Sequence, residues 1–383
     1  MKILYVYPEL TIKGGADKVI VDKANYLARD GYDVTILTEA QMGREPSFPI
    51  DPAVKHIDMG LDFNSQYHQG FFRRAYTYLT LMRRYRRQFT AVVEAIRPDI
   101  IITALGRSID FITDIKDGSV KVGEAHCIKE HLRSLHQMEQ KGFFYRLAAR
   151  RIKTATHRHV SQLDALVLLT QEDADSWKEV PNTYVIPNAV PFMPDRHSTL
   201  TSKEAMMVAR YNNAKGLNYM VDAWHIVHQR HPDWRLHVYG SGELHDQVVR
   251  WIEEKKLTSV VILHKPVDQI MDKYLESSLC VMSSRYEAFP LVLLEAMACG
   301  LPCVAFDCPH GPHHIIRNEE DGLLVNHLDT QALANAICRL IEDEPLRRQF
   351  GRQAQRNIQR FSKDMVMEQW KRLFDQLIKD HRP

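Results

Sequence analysis

The sequence predicts an α/β protein of two doubly wound domains, and three observations carry that prediction. Short apolar runs alternate with amphipathic stretches along the chain, the pattern of parallel strands buried between helices. The alternation is interrupted where Pro181, Pro187, Pro191 and Pro194 put four prolines within 14 residues, and it then restarts. The length of 383 residues suits two domains of about 190 residues, each large enough to bury its own core.

The elements follow in order. Residues 2–7 are an apolar strand, and Gly14-Gly15 lies in the turn after it. From Ala16 to Arg29 the apolar positions Val19, Ile20, Ala24, Leu27 and Ala28 form a helical stripe, which Asp30-Gly31 ends. Strands are expected at Tyr32–Leu37, Ile100–Thr103, Val120–Gly123 and Ala165–Leu169, with helices between them. After the prolines come strands at Ala205–Ala209, Arg235–Tyr239, Val260–Leu263, Leu279–Met282, Cys303–Phe306 and Leu323–Val325. Helices are expected at Gly216–Arg230 and Leu291–Cys299, and the tail from Thr330 to Lys379 is nearly all helical. Open α/β sheets bind ligands outside the carboxyl ends of their strands, so two such domains are expected to face each other across a binding cleft.

Composition narrows the class. Hydrophobic residues make up 45% and charged residues 26%, which excludes a mainly disordered chain. No apolar run approaches the roughly 18 residues of a membrane-spanning helix, and the N-terminal apolar stretch is too short for a signal peptide. The six cysteines form no C-x2-C pair and read as small core residues of a cytoplasmic protein. Cys299, Cys303 and Cys308 are close in sequence but fit no usual zinc spacing.

Several residues could carry chemistry. Gly14-Gly15 before a helix is either an ordinary tight turn or a place where backbone amides meet an anion. Arg210 follows one strand, and Lys215-Gly216 opens the next helix. The two cations either bind a phosphate at the strand's carboxyl end or are solvated surface charges. Gly240-Ser241-Gly242 ends the following strand and could line the same cleft. Glu287 sits in the loop after Met282, Pro290 suits a first helical turn, and Glu295 stands inside an otherwise apolar helix. A carboxylate there needs partners, either a salt bridge or ligand hydroxyls such as a ribose diol.

Glu287 and Glu295 form an E-x7-E pair, followed by Ala296-Met297-Ala298-Cys299-Gly300-Leu301-Pro302. That segment resembles the donor-binding signature of family 4 glycosyltransferases, which are retaining enzymes of the Rossmann-like, two-domain GT-B fold. Gly14-Gly15, Val185-Ile186-Pro187-Asn188, Val208-Ala209-Arg210 with Lys215-Gly216, and Asp321-Gly322-Leu323-Leu324-Val325 match the family in the same order. The resemblance implies an acceptor-side domain at 1–187 and a donor-binding domain at 188–362, with a helix at about 363–383 packing back on the first.

It further implies that Arg210 and Lys215 hold the diphosphate of a nucleotide-sugar donor and that Glu295 binds ribose. Glu287 would face the transferred sugar, and Gly15, Phe289 and Leu291 would offer backbone amides. Pro266, in His264-Lys265-Pro266-Val267, would lie by the base. His126, in Gly123-Glu124-Ala125-His126, resembles a histidine beside the donor sugar; a core histidine is the alternative. Ala288 departs from the family's usual glycine but keeps the loop small. No cofactor and no metal are expected. Phe306-Asp307-Cys308-Pro309-His310-Gly311-Pro312 resembles a subgroup that builds bacterial surface polysaccharides, often from UDP-sugars. A sugar-nucleotide epimerase of the same fold is the competing enzyme reading.

Net charge is +2, but its distribution is uneven. From Phe63 to Val93 there is no acid and there are six arginines: Arg73, Arg74, Arg83, Arg84, Arg86 and Arg87. From Lys141 to Leu163 there is again no acid, with Lys141, Arg146, Arg150, Arg151, Lys153 and Arg158. Both stretches open on aromatics and have helical spacing. They read as solvated faces, or as a peripheral contact with an anionic membrane on its cytoplasmic side through 71–89 and 143–159, which would suit a lipid-linked glycan acceptor. A non-catalytic protein binding membrane or nucleic acid is the reading from a different class; nucleic acid is not the expected partner.

Overall fold

In a computed structural model the described residues are 1–66, 69–134, 138–140 and 142–381. The chain divides into two compact units, Met1–Ile186 with Met367–Pro383, and Pro187–Val366. Each holds one parallel sheet. In the first unit these are β1 (Lys2–Tyr7), β2 (Asp33–Thr38), β3 (Lys55–Asp58), β4 (Ile100–Thr103), β5 (Val120–Glu124), β6 (Ala165–Leu168) and β7 (Thr183–Val185). Their order across the sheet is β3-β2-β1-β4-β5-β6-β7. The second unit holds β8 (Glu204–Val208), β9 (Arg235–Tyr239), β10 (Val261–His264), β11 (Leu279–Met282), β12 (Cys303–Phe306) and β13 (Gly322–Val325), ordered β10-β9-β8-β11-β12-β13.

The central strands are apolar because helices cover both faces and leave no solvated side. Leu4, Ile101 and Leu166 are fully buried in the first sheet, as are Ala205, Leu236 and Val304 in the second. The Gly15–Arg29 helix lays Val19, Ile20, Ala24 and Leu27 on the first sheet, and its Lys23 is buried with them. The Phe71–Ile96 helix buries Tyr85, Phe89 and Val93, one residue per turn on one stripe. Tyr85 meets Phe111 edge to face, ring centroids 4.9 Å apart at 85°. Trp370 and Phe374, from the C-terminal helix Lys363–His381, complete the first unit's core.

Two strands were not expected from the sequence. β3 is an edge strand of charged and polar residues (Lys-His-Ile-Asp) with no apolar run to announce it. β7 lies among the prolines, where turn signals dominate. The helical tail is three helices, Thr330–Glu342, Glu344–Asn357 and Lys363–His381. Side chains of Asp329 and Asp343 cap the first two. Five of the six cysteines are buried, and all six are free thiols. Among the described residues no helix is long and apolar enough to cross a membrane.

Candidate functional site

In both sheets the chain leaves the two central strands in opposite directions, which opens a crevice at their carboxyl ends. The pair is β1 and β4 in the first unit, β8 and β11 in the second. In the second unit three loops are tied together there. Arg285 N donates to Ala214 O at 2.7 Å, and Ser283 Oγ donates to Lys215 O at 3.1 Å and Gly216 O at 3.0 Å. Tyr211 N donates to Ser241 O at 2.8 Å, which brings in the loop after β9.

Two glycines permit this closeness. Gly216 has φ +58°, and a Cβ on it would stand 2.1 Å from Ser283 O. A Cβ on Gly242 would stand 2.4 Å from Tyr211 O. The glycine that ends β9's loop is therefore needed for backbone packing, whatever else it does.

On this frame Lys215 and Glu287 meet. Lys215 Nζ is 2.5 Å from Glu287 Oε1, and Ser284 Oγ donates to the same oxygen at 2.7 Å. The resemblance assigns these two residues to different parts of a ligand; in the free chain they pair with each other. The resembling segment Phe306–Pro312 packs on this pair, since a Cβ on Gly311 would lie 2.9 Å from Glu287 Cβ. Burial, with Glu287 adding its charge, pushes the nearby Cys308 thiol up to about 12. Arg210 is exposed and forms no ion pair among the described residues.

Glu295 lies on the Leu291–Ala298 helix, eight residues beyond Glu287. Tyr274 OH donates to its Oε2 at 2.9 Å. Burial and then the charge of Glu295 raise the Tyr274 phenol well above its ordinary value, so it stays a donor. Pro290 stands at this helix's N-cap and no side chain caps it, which leaves the amides of Leu291 and Val292 free to meet an anion. Phe289 is buried against Phe361, ring centroids 5.4 Å apart. Pro266 is exposed in the loop after β10. Before it, His264 stacks on Tyr239 at 4.5 Å and 13°.

The first unit holds a separate cluster. Gly14 is the N-cap of the Gly15–Arg29 helix with φ −119° and ψ 164°, a conformation open to any residue. Buried Asp17 organises the loop, accepting from Tyr7 OH at 2.9 Å and Ile12 N at 3.0 Å. His126 follows β5, with Nε2 3.5 Å from Glu124 Oε1. Glu124 forms a buried ion pair with Lys23, whose Nζ lies 4.1 Å above the Trp370 ring. Burial lowers the His126 pKa; Lys23 adds to that and Glu124 opposes it, so the ring is neutral. Burial raises Glu124, but the charge and hydrogen bond of Lys23 outweigh it and hold the carboxyl below its usual range. His126 Nε2 and Glu124 Oε2 are buried without a hydrogen-bond partner among the described residues.

The structure thus adds Lys23, Ser284, Tyr274 and Gly311 to the residues the sequence singled out. The chain also carries a D-x-D tripeptide, Asp173-Ala174-Asp175, of the kind that can bind metals. It lies in the short Gln171–Ser176 helix of the first unit, with Asp173 buried, so the absence of such a tripeptide is no ground for expecting no metal.

Known proteins agree with this architecture. The sequence model described as Glycosyltransferase Family 4 matches residues 13–192, and that described as Glycosyl transferases group 1 matches residues 193–357. The amylovoran biosynthesis glycosyltransferase AmsD of Erwinia amylovora is 24% identical over 380 residues, 96% of this chain and 98% of its own. An exopolysaccharide phosphotransferase of Streptomyces coelicolor is 39% identical over 225 residues; the match spans 56% of this chain but only 24% of that protein. TarM from S. aureus, crystallised with UDP, shares the fold with a TM-score of 0.76 at 16% identity, over 97% of this chain and 99% of its own. With the two family models meeting end to end on two doubly wound units, the chain belongs to glycosyltransferase family 4 and is a transferase of the GT-B fold.

Proposed function

We propose that the enzyme moves a hexosyl or N-acetylhexosaminyl group from a UDP-sugar to a glycan or lipid-linked glycan acceptor in cell-surface polysaccharide synthesis, with retention of anomeric configuration. The observation that carries this reading is the convergence of Lys215, Glu287 and the uncapped Leu291 helix start, on loops tied together at the β8–β11 crevice. In this reading the donor's diphosphate takes Lys215 away from Glu287 and recruits exposed Arg210. Charge-assisted hydrogen bonds to a diphosphate are stronger than neutral ones, and the helix amides add to them.

Those fixed positive groups stabilise the charge that grows on the leaving diphosphate, and no metal is invoked. Glu287, released from Lys215, turns to the sugar hydroxyls, and Glu295 accepts from ribose. Gly242 and Pro266 border the nucleotide, and Phe289 and Leu291 offer their amides. Gly14, Gly15 and His126 are assigned supporting roles at the carboxyl ends of the first sheet; the neutral His126 ring suits a hydrogen-bonding rather than an acid role. The relatives named above are transferases, which leaves the epimerase alternative without support.

UDP in the TarM crystal, and the resemblance of Asp307 to Pro312, favour uridine as the base. Calorimetric titration with UDP, GDP and ADP tests this: UDP is expected to bind most tightly, and tighter GDP binding overturns the assignment. Proton NMR of the first-formed glycoside tests retention.

A further inference from the structure

We propose that the first unit carries a single face, built from the starts of two helices, that docks on an anionic lipid bilayer. This inference goes beyond the transfer reaction and does not depend on it.

The face is apolar at its centre. Of the thirteen large hydrophobic residues exposed in the described chain, six lie on two helices: Phe72, Tyr76 and Leu79 on Phe71–Ile96, and Phe143, Phe144 and Leu147 on Phe143–Val160. Phe72, Tyr76 and Phe143 are 78%, 72% and 72% exposed. The other seven are spread through the sequence, as is normal for a soluble surface, whereas a cluster of six needs an explanation. The two groups adjoin: the Phe72 and Phe144 rings are 6.3 Å apart, Phe143 and Phe144 5.6 Å, and Arg74 Cζ lies 5.8 Å from the Tyr145 ring.

The face is basic at its margin. At about 100° per residue, Phe72, Tyr76 and Leu79 continue into Arg83 and Arg87 along one stripe, and Phe143, Phe144 and Leu147 continue into Arg150, Arg151 and Arg158. These five arginines are exposed and form no ion pair among the described residues. Arg86, by contrast, pairs with Asp114 at 3.0 Å. Lys141 lies outside the described residues. Aromatic and aliphatic side chains flanked by arginines match the boundary between headgroups and acyl chains of an anionic leaflet. A nucleic acid would use the arginines but give Leu79 and Leu147 nothing to bury against, so the charge pattern together with the apolar centre favours lipid.

The test sediments the full chain with large vesicles of phosphatidylglycerol and phosphatidylcholine, or of phosphatidylcholine alone. Binding is expected to the anionic vesicles, and to weaken between about 0.1 M and 1 M salt as the screening length drops from about 10 Å to about 3 Å. Replacing Phe72, Phe143 and Phe144 together with serine is expected to lower partitioning at least tenfold at unchanged charge. Replacing Arg83, Arg87 and Arg150 with glutamate is expected to lower it by about a hundredfold or more, since each cation near an anionic leaflet contributes roughly a fivefold factor.

All six positions are exposed, and circular dichroism with a thermal melt of each variant checks that the first unit's fold is intact. Absence of wild-type binding at low salt, equal binding to both vesicle types, wild-type behaviour of both variants, or loss of vesicle binding to a competing RNA each overturns the proposal. Failure of UDP to bind the wild-type chain would instead strike the donor reading alone.

Discussion

Both units keep a lysine–glutamate pair near the carboxyl ends of their central strands, but in opposite conditions. Lys23 and Glu124 are sealed, with side chains 6% and 2% exposed. Lys215 and Glu287 are 26% and 12% exposed. A sealed pair has already lost its water and has nothing to exchange with, so removing one partner strands the other charge. A half-open pair can trade one partner for a ligand at modest cost. On the proposed donor reading, the same two residue types serve as a fixed strut in one unit and as an exchangeable contact in the other.

The largest expected effect breaks the strut. Lys23→Met leaves Glu124 buried without its cation and should cost about 3–5 kcal/mol of stability, the range for breaking a buried pair. Denaturant unfolding measures it. The Trp370 ring, 4.1 Å from Lys23 Nζ, loses its cation too, so the C-terminal helix should show faster amide exchange in the variant. A loss below 1 kcal/mol would mean that the two units do not differ as described.

The exchangeable side is tested by its carboxylates. Glu295→Ala should weaken UDP binding by about 1.5–3 kcal/mol, the value of a hydrogen bond to a charged group. Glu287→Ala should lower turnover while leaving UDP affinity equal or improved, because Lys215 no longer has an internal competitor. Calorimetry and a donor-consumption assay separate the two. Weaker UDP binding in Glu287→Ala would show the pair to be a strut after all.

The contrast also explains what could be read from the chain alone. The strands of the two cores were legible because buried parallel strands are short apolar runs, and Ile100–Thr103, Arg235–Tyr239, Leu279–Met282 and Cys303–Phe306 match residue for residue. β3 was not legible, since an exposed edge of Lys55-His56-Ile57-Asp58 has no reason to be apolar. Within the site, Arg210, Lys215, Glu287 and Glu295 stood out because charges at strand ends or on apolar helices are conspicuous. The partner of Glu295 did not. Tyr274 meets Glu295 from 21 residues away, through packing that no local pattern encodes. Lys23 looked like one more polar position on an amphipathic helix, and only the folded chain reveals that Glu124, 101 residues further on, lies against it.

A pH dependence separates the sealed cluster from the rest. The folded state holds the His126 pKa below its ordinary value, chiefly by burial, with Lys23 acting in the same direction and Glu124 against it. The unfolded chain takes up a proton near pH 6.5 and the folded chain does not. Stability is therefore unaffected well above pH 6.5 and falls as pH drops below it, by at most about 1.4 kcal/mol per pH unit. His126→Gln should remove that part of the slope. His56 and His264 are also lowered, mainly by burial, so the informative quantity is the difference between wild type and variant between about pH 5 and 6.5. Glu124, held low, loses its contribution only at more acidic pH and does not mimic the effect. An unchanged slope in the variant would mean that His126 titrates normally.

The smallest expected effect concerns Tyr274→Phe. The phenol is fully buried and gives Glu295 Oε2 its 2.9 Å hydrogen bond. Removing the hydroxyl leaves the ring's packing in place, and Glu295 is only partly buried and keeps further partners, so water can take over the lost donor. The stability cost should be about 1 kcal/mol, near the net value of one hydrogen bond. UDP affinity should move by less still, because ribose hydroxyls would donate to the same carboxylate that the phenol had oriented. The measurement is a thermal melt with and without UDP. If Tyr274→Phe lowered UDP affinity as much as Glu295→Ala, orientation by the phenol rather than the carboxylate itself would control the site. The second unit would then also depend on a sealed, fixed contact, and its difference from the Lys23–Glu124 strut would be one of degree.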